Sequence, residues 1–406
     1  MDKLTIPDPP SMPTHHFGSQ LGPILLLTSI FFINFISRII LAPLMPNLVS
    51  SLHLSNVDAG SFFLLISIGY FTTLLGSGLL SAYWTHKQTI TYSIIALSLA
   101  LFLISLSREV WGIRLGLILL GMAAGPYIPS GIATLTALTD SPHWGKAISI
   151  HEMAPNLAFI VAPLLVEAVL LTFSWRTVFV LLGLVAFILG GVFARFGRGG
   201  EFKGQVTNIA SVKAILSNST FWIMVVLFSL GISGTLGIFT MLPLYLVSEH
   251  EFERNWANTL IAISRVAGLG IVFFGGWAAD RFGPRRILRI VFFLSGILTL
   301  SLGLTSKSWI AVIIILQPVV AVCFFPAGLA ALSMVTSPNE RNIAISLTVP
   351  LGFLIGGGAI PAMIGFIGDL GSFALGISLV GGLILTGAIF PGYLKFYTST
   401  EKKTDS

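Results

Sequence analysis

Charged residues are scarce in this sequence: Asp, Glu, Lys and Arg make up only 9% of its 406 residues, whereas hydrophobic residues make up 55%. Soluble domains carry about 25% charged residues, so this composition is typical of a chain that lies in lipid. A single cysteine, Cys323, excludes an intramolecular disulfide and a zinc site built from paired cysteines. The net charge of +6 comes from basic residues scattered singly, which argues against a nucleic-acid partner.

Sequence patterns of enzymatic chemistry are missing as well. The sequence contains no phosphate-binding glycine loop, catalytic-triad spacing or metal-ligand cluster. Residues 151–155, "HEMAP", begin like the helix of a zinc protease but have proline where the second histidine belongs. We therefore expect neither an enzyme nor a bound cofactor or metal, and any energy that the protein uses must come from a gradient.

Long apolar segments dominate what is present. A helix needs about 20 mostly apolar residues to cross a bilayer. Twelve segments meet this length, at roughly 22–49, 58–81, 89–107, 110–138, 146–171, 175–195, 221–247, 255–279, 287–305, 309–335, 342–367 and 372–396. We predict an all-α polytopic membrane protein with a tail (1–21) that is not a signal peptide, a six-helix bundle (22–195), a linker (196–220), a second six-helix bundle (221–396) and a tail (397–406).

The lysines and arginines predict the orientation of these segments. If both termini and the linker lie on one side, fifteen of the 22 basic residues fall on that side and five on the other. Cytoplasmic loops carry such an excess, so both termini and the linker are expected in the cytoplasm. We expect a monomer surrounded by lipid in a bacterial inner membrane. The two remaining basic residues, Arg38 and Arg265, lie inside the membrane.

The two halves of the sequence repeat each other. Residues 44–46, 129–131 and 147–149 match residues 241–243, 326–328 and 344–346, each at an offset of 197. Six helices duplicated in the same orientation are related by an axis along the membrane normal, with a binding site at the interface of the halves. This arrangement would let one half rock against the other.

Residues 276–286, "GWAADRFGPRR", resemble the G-x-x-x-D-R-x-G-R-R signature of the Major Facilitator Superfamily. With the twelve segments and the central linker, the resemblance covers nearly all of residues 20–396. It implies a transporter fold in which this loop takes part in gating, through Gly276, Asp280, Arg281, Gly283, Arg285 and Arg286. The corresponding stretch of the first half, residues 78–87, lacks the acidic residue and most of the cations.

Arg38 and Arg265 are the main candidates for binding a substrate. An arginine at the centre of a bilayer costs about 2.5–3.5 kcal/mol, so each needs a partner. One interpretation is a ligand; the other is a structural ion pair with Glu152 or Glu167. Residues 34–38, "NFISR", resemble the Asn-Tyr-Leu-Asp-Arg stretch of anion:cation symporters, and Arg265 stands where monocarboxylate and oxalate transporters keep an arginine. The resemblance implies an organic-anion substrate.

Further polar residues complete the predicted site. Asn34, Tyr127, Asn156 and Gln317 are candidate substrate ligands; an interfacial or helix-packing role is the alternative for Tyr127 and Gln317, and for Gln317 it fits equally. Ser37 replaces the symporters' proton-coupling aspartate, which moves the predicted coupling to Glu152 and His151; a gating role for Glu152 stays open. We therefore expect symport of a small organic anion, a carboxylate, with protons. The alternatives are an exporter of amphipathic drugs or lipids with structural arginines, and a non-transporting membrane sensor.

Overall fold

The computed structural model describes residues 17–204, 209–337 and 340–397. These residues contain twelve helical spans that are long and apolar enough to cross a membrane, which confirms the predicted number and fold class. We number the spans α1 (Gln20–Leu52), α2 (Asn56–Leu75), α3 (His86–Leu106), α4 (Val110–Leu138), α5 (Trp144–Leu170), α6 (Trp175–Phe196), α7 (Ser219–Ser248), α8 (Arg254–Phe282), α9 (Pro284–Leu304), α10 (Lys307–Val335), α11 (Ile343–Asp369) and α12 (Phe373–Tyr393).

Interruptions of the helices follow the internal repeat. The chain leaves the helix at Ile40 in α1, and a π-helical turn, Ser233–Gly237, occupies the equivalent place in α7, 197 residues later. A break at 125–126 in α4 recurs at 322–323 in α10, again at the offset of 197. The helical segments are Phe17–Ile39 and Leu41–Leu52, Val110–Ala124 and Tyr127–Leu138, Ser219–Ile232 and Ile238–Ser248, Lys307–Ala321 and Phe324–Val335, and Arg341–Leu354 and Ile360–Asp369, with shorter ones at Ser77–Tyr83, Ile209–Leu216 and Phe390–Tyr393.

Glycines bring neighbouring helices into backbone contact. A Cβ added to Gly121 of α4 would lie 2.1 Å from the carbonyl oxygen of Ile66, and one added to Gly69 of α2 would lie 2.2 Å from that of Ile118. Neither position has room for any other residue, because a real Cβ does not approach backbone atoms so closely. Small residues at such crossings are typical of helix association in membranes, where close packing replaces the hydrophobic effect.

The linker packs on the loop between α2 and α3 of the first half. The N–H groups of His86 and Lys87, at the start of α3, donate to the carbonyl oxygens of Phe202 (3.0 Å) and Gly200 (2.8 Å). The side chain of Lys87 also lies 3.5 Å from Glu201. This is the loop that lacks the signature carboxylate and most of its cations, and backbone hydrogen bonds from the linker hold it instead.

We call the membrane side that carries the linker the linker side and the other the opposite side. Within the described residues, every hydrogen bond and ion pair that joins the two halves lies on the opposite side. On the linker side, the side chain of Glu152 in α5 is still 51% exposed. In the described residues, the contacts that close the interface between the halves are therefore on the opposite side.

Candidate substrate site between the two halves

Arg38 lies at the end of the first helical segment of α1, at the interface between the halves. Its guanidinium carbon is 4.3 Å from the ring centroid of Tyr70, 4.9 Å from that of Phe35 and 5.8 Å from that of Phe353. These rings come from α1, α2 and α11, so both halves contribute. A cation over an aromatic face gains about 0.5–2 kcal/mol, which offsets part of the cost of burying the charge without neutralising it.

Arg265 of α8 occupies a similar aromatic environment. Its guanidinium carbon lies 4.5 Å from the ring centroid of Phe159 and 4.8 Å from that of Phe239, on α5 and α7. One Nη donates to the carbonyl oxygen of Thr235 at 3.0 Å, inside the π-helical turn of α7. A π turn frees carbonyl oxygens from the regular helical pattern, so this hydrogen bond also gives the carbonyl oxygen of Thr235 a donor.

The two arginines are neighbours across the interface. Phe35, under Arg38, and Phe159, under Arg265, pack edge to face with their centroids 5.3 Å apart. The Nε of each arginine has no hydrogen-bond partner, and within the described part of the chain neither forms an ion pair. The structure thus places two guanidiniums with unused donors at mid-depth, one from each half.

The carboxylates considered as structural partners of these arginines are engaged elsewhere. Glu167 binds Arg254 at the opposite-side end of α5, with oxygen to nitrogen distances of 3.0 and 3.2 Å. Glu152 lies 3.4 Å from Nδ1 of its neighbour His151. In this arrangement, neither carboxylate neutralises an intramembrane arginine.

Three of the predicted substrate ligands form hydrogen bonds within their own half of the protein. Asn34 donates to the carbonyl oxygen of Ala124 at 3.0 Å, and Gln317 donates to that of Gly234 at 2.8 Å and to Thr299 at 3.1 Å. Tyr127 donates to a carbonyl oxygen of α1 and is fully buried. Because their hydrogen-bond donors satisfy backbone groups, these side chains hold helices together in this arrangement rather than face a substrate.

The remaining predicted ligand, Asn156, lies on the linker side of the site. Its side-chain amide donates to the carbonyl oxygen of Glu152, one turn earlier on α5, at 3.0 Å. The side chain is half-buried, and its own carboxamide oxygen takes no part in this bond. Asn156 therefore stays beside the candidate proton site in this arrangement.

A chain of hydrogen bonds joins Glu152, His151 and Tyr127. The hydroxyl of Tyr127 lies 2.6 Å from the carbonyl oxygen of Leu27, and His151 Nε2 lies 3.0 Å from the same hydroxyl. His151 is fully buried and stacks on Phe31 with centroids 4.5 Å apart. This packing fixes the imidazole plane, so the ring presents one nitrogen to the tyrosine and the other to the carboxylate.

The distances determine where the protons lie. A hydroxyl oxygen 2.6 Å from a carbonyl oxygen requires a proton between them, so Tyr127 gives its only proton to Leu27. His151 Nε2 must then carry a proton and donate it to the tyrosine. Nδ1 of His151 lies 3.4 Å from Glu152, so the imidazole stands between the tyrosine and the carboxylate.

In the gating loop, Gly283 has a φ of +83°, a value that favours glycine and allows the sharp turn from α8 to α9. Asp280 is exposed and has no hydrogen bond or ion pair with any described residue. Helices pack closely at Gly275, where an added Cβ would lie 3.1 Å from Cys323, whereas one on Gly276 would be 3.8 Å from Pro326.

The arginines of this loop differ in their contacts. Arg285 donates to the carbonyl oxygen of Leu394 at 2.5 Å and lies 4.8 Å from the ring centroid of Phe396, so it holds the segment after α12. Arg281 and Arg286 are exposed. Among the described residues, no hydrogen bond or ion pair joins this loop to the first half in the arrangement seen.

Two carboxylates, Glu167 and Asp369, close the opposite side, a role that the sequence analysis did not predict. We call them the latch carboxylates. Glu167 of α5 also accepts from Asn258 of α8 at 2.6 Å. Asp369, at the end of α11, accepts from the N–H groups of Asn56 (2.8 Å) and Val57 (3.0 Å), at the start of α2.

The latch follows the internal repeat. Val57, bound by Asp369, and Arg254, bound by Glu167, are 197 residues apart, so each carboxylate holds the start of an equivalent helix in the other half. A carboxylate at a helix N-terminus is also favoured by the helix dipole. The available signal in the sequence was an acidic residue at the same end of α5 and α11.

The sequence profile of the Major Facilitator Superfamily matches residues 27–306 and 255–406, and the chain belongs to this family of transporters. It is 22% identical to a probable L-galactonate transporter of Escherichia coli (strain K12), over 91% of this chain and 88% of the relative. It is 22% identical to a nitrite extrusion protein of Bacillus subtilis (strain 168), over 89% and 87%.

Solved structures agree on the fold. A bacterial homolog of the human lysosomal transporter Spinster aligns with a TM-score of 0.76 and 15% identity, covering 94% of this chain and 96% of that one. A D-xylose-proton symporter aligns with a TM-score of 0.75 and 14% identity, covering 93% and 98%. The protein is thus an integral membrane transporter of small molecules by family and fold.

Proposed function

We propose that this transporter moves a small organic anion, a carboxylate, together with protons. The observation that carries the proposal is the pair of guanidiniums at mid-depth, one from each half, neither neutralised by a described carboxylate. A bound carboxylate supplies the missing charge with paired, charge-assisted hydrogen bonds. The L-galactonate and nitrite of the relatives' names are both anions, which supports this class.

Anion binding would also link the two halves. Arg38 belongs to the first half and Arg265 to the second, and the rings beneath them already touch. A negative charge between two cations of different halves reduces their repulsion and draws the halves together, which favours an occluded state. The bound anion would then be released to one side of the membrane or the other when the halves rock.

Proton binding is assigned to Glu152 and His151. Their side chains lie 3.4 Å apart, and the side chain of Glu152 is 51% exposed, so a proton can reach it. A proton that enters with each anion offsets its charge, so uptake would be driven by a proton gradient. We place the linker side in the cytoplasm of a bacterial inner membrane, because fifteen of the 22 basic residues lie there.

The test uses Arg38→Lys and Arg265→Lys in purified protein. Lysine keeps the charge but loses the paired donors, so each variant should lower the affinity for a bound carboxylate at least about tenfold. Binding is measured by thermal shift against acids and their matched neutral amides, and counterflow in proteoliposomes follows for the acid that binds best. The matched control is Arg195→Lys, an exposed arginine at the end of α6.

Two outcomes would contradict the proposal. Wild-type affinity for the acid in both lysine variants would exclude the arginines as ligands. Equal binding of acid and amide by the wild-type protein would exclude recognition of an anion and favour the amphipathic exporter, in which both arginines are structural.

A further inference from the structure

The cavity beside Arg38 is lined mainly by apolar groups. It lies between the halves, and α1, α2, α7 and α11 contribute to its wall. The side chains that matter for recognition are Phe35, Phe63, Tyr70, Leu236, Thr240 and Phe353. In the arrangement seen the cavity holds about 20 Å³, room for one water, so a substrate enters only when the halves move apart, and the side chains that would then surround its charged end are aromatic and aliphatic.

Hydrogen-bonding groups in this wall are few. The hydroxyl of Thr240 already donates to the carbonyl oxygen of Gly237 at 2.7 Å, and the residue is 1% exposed. Apart from Arg38 and Thr240, the polar side chains in the lining are Ser67 and Tyr70, and the Tyr70 side chain already contacts the Arg38 guanidinium. The carboxamide NH2 groups of Asn34 and Gln317, which could have read hydroxyl groups, donate to backbone carbonyl oxygens.

A wall with many apolar groups and few hydrogen-bonding groups discriminates between substrates. A sugar acid carries a hydroxyl on nearly every carbon, and each hydroxyl that leaves water without a partner lowers affinity. Two wall hydroxyls cannot satisfy four or five from the substrate. An apolar body loses nothing on leaving water and gains contact with flat rings.

Resting on the proposed anion transport, we infer that the substrate is a carboxylate with an apolar, compact body, such as a ring or a short branched chain, and not a polyhydroxylated acid. The carboxylate binds the unused donors of Arg38, and the body lies against Phe35, Tyr70 and Phe353. In this the chain would differ from the relative named for L-galactonate, a hydroxylated acid.

Three probes with the same six-membered carbon ring test the inference on the wild-type protein. They are cyclohexanecarboxylate, quinate, which adds four hydroxyls to it, and cyclohexanecarboxamide, which lacks the charge. Binding of each is measured by calorimetry and by thermal shift. We expect cyclohexanecarboxylate to bind at least about tenfold more tightly than quinate, and the amide not to bind.

The outcomes separate the two proposals. Equal or tighter binding of quinate, or no binding of either acid, would overturn the apolar-body inference while leaving anion transport in place. Binding of the amide as tight as that of the acid would overturn anion recognition itself.

Phe353→Asn adds a second measurement, because it places an amide in the wall. It should reduce the preference for cyclohexanecarboxylate over quinate by several-fold, whereas Phe396→Asn, beside Arg285 outside the site, should leave the ratio unchanged. An unchanged ratio in a folded Phe353→Asn protein would also count against the inference.

Discussion

At the scale of single residues, the arginines show how context assigns a role. Arg38 and Arg254 are both arginines in or beside a span, yet Arg254 is neutralised by Glu167 and Arg38 only touches aromatic rings. Burial without neutralisation is unfavourable, and a protein keeps it where a ligand will supply the missing charge.

Glu152→Gln should abolish accumulation driven by a proton gradient and leave counterflow exchange intact. Glutamine keeps the shape of the side chain and can still donate to His151, but it neither binds nor releases a proton. Uptake into proteoliposomes with an imposed pH gradient, compared with counterflow at equal pH, measures both. Glu201→Gln, an exposed carboxylate of the linker, is the matched control. If gradient-driven accumulation survives Glu152→Gln, the proton is bound elsewhere.

At the scale of helices, the latch and the gating loop lie on opposite sides of the site. The latch carboxylates hold the starts of α2 and α8 in the arrangement seen. The gating loop follows α8 on the linker side, where Asp280 has no partner among the described residues. Rocking of the halves would break the latch contacts and form contacts of the gating loop. Substitutions on the two sides should therefore shift the equilibrium between the two arrangements in opposite directions.

Asp369→Asn should favour opening on the opposite side. Asparagine loses the charge that holds two backbone N–H groups of α2, and hydrogen bonds to a charged group contribute about 1.5–3 kcal/mol. The equilibrium between the two arrangements should then shift by about tenfold or more.

A single reporter cysteine, Ser67→Cys, placed in the cavity of a Cys323→Ser background, measures this shift. An impermeant thiol reagent applied from the opposite side should react faster in Asp369→Asn. Glu109→Gln, an exposed carboxylate on the same side, should not change the rate. A rate in Asp369→Asn equal to that of the parent would show that Asp369 does not limit opening.

Asp280→Asn should have the reverse effect. If Asp280 gains its partner only when the linker side closes, its loss leaves the present arrangement favoured and lowers the reaction rate of the same reporter from the opposite side. Folding should not change, because the exposed side chain makes no hydrogen bond or ion pair with described residues here. If the reporter cysteine reacts at the same rate as in the parent, Asp280 does not take part in gating.

At the scale of the whole molecule, the internal repeat and the asymmetry of charge govern the architecture. Helix interruptions recur at an offset of 197, and the latch joins equivalent helix starts, so the halves are structural copies. Their sites are not copies: the position equivalent to Arg38 is Thr235, whose carbonyl oxygen accepts from Arg265. A symmetric scaffold therefore carries an asymmetric pair of cations.

The orientation in the membrane gives a prediction at this scale. Ser217 is exposed in the linker and Ser308 is exposed at the start of α10, on the opposite side. In a Cys323→Ser background, Ser217→Cys should resist an impermeant thiol reagent added to intact cells, and Ser308→Cys should react. Labelling of Ser217→Cys from outside would reverse the assigned orientation.

The sequence by itself determined the class of this protein. Twelve apolar segments, a polar linker and a 197-residue repeat are local or additive properties of the chain, and bilayer thickness converts them directly into helical spans. The unusual residues Arg38, Arg265, Glu152 and His151 could also be selected, because a charge inside an apolar segment is conspicuous wherever the helix packs.

Only the tertiary structure decided what each polar residue touches. Asn34, Tyr127 and Gln317 look like cavity ligands in sequence, yet they bond to backbone carbonyl oxygens of neighbouring helices. The pairing of Glu167 with Arg254 depends on the rotation of α5 and α8 and on which side is closed. Hydropathy fixes a helix's length and depth but not its azimuth, and it is the azimuth, set by side-chain packing, that aims a polar group at a substrate or at a neighbour.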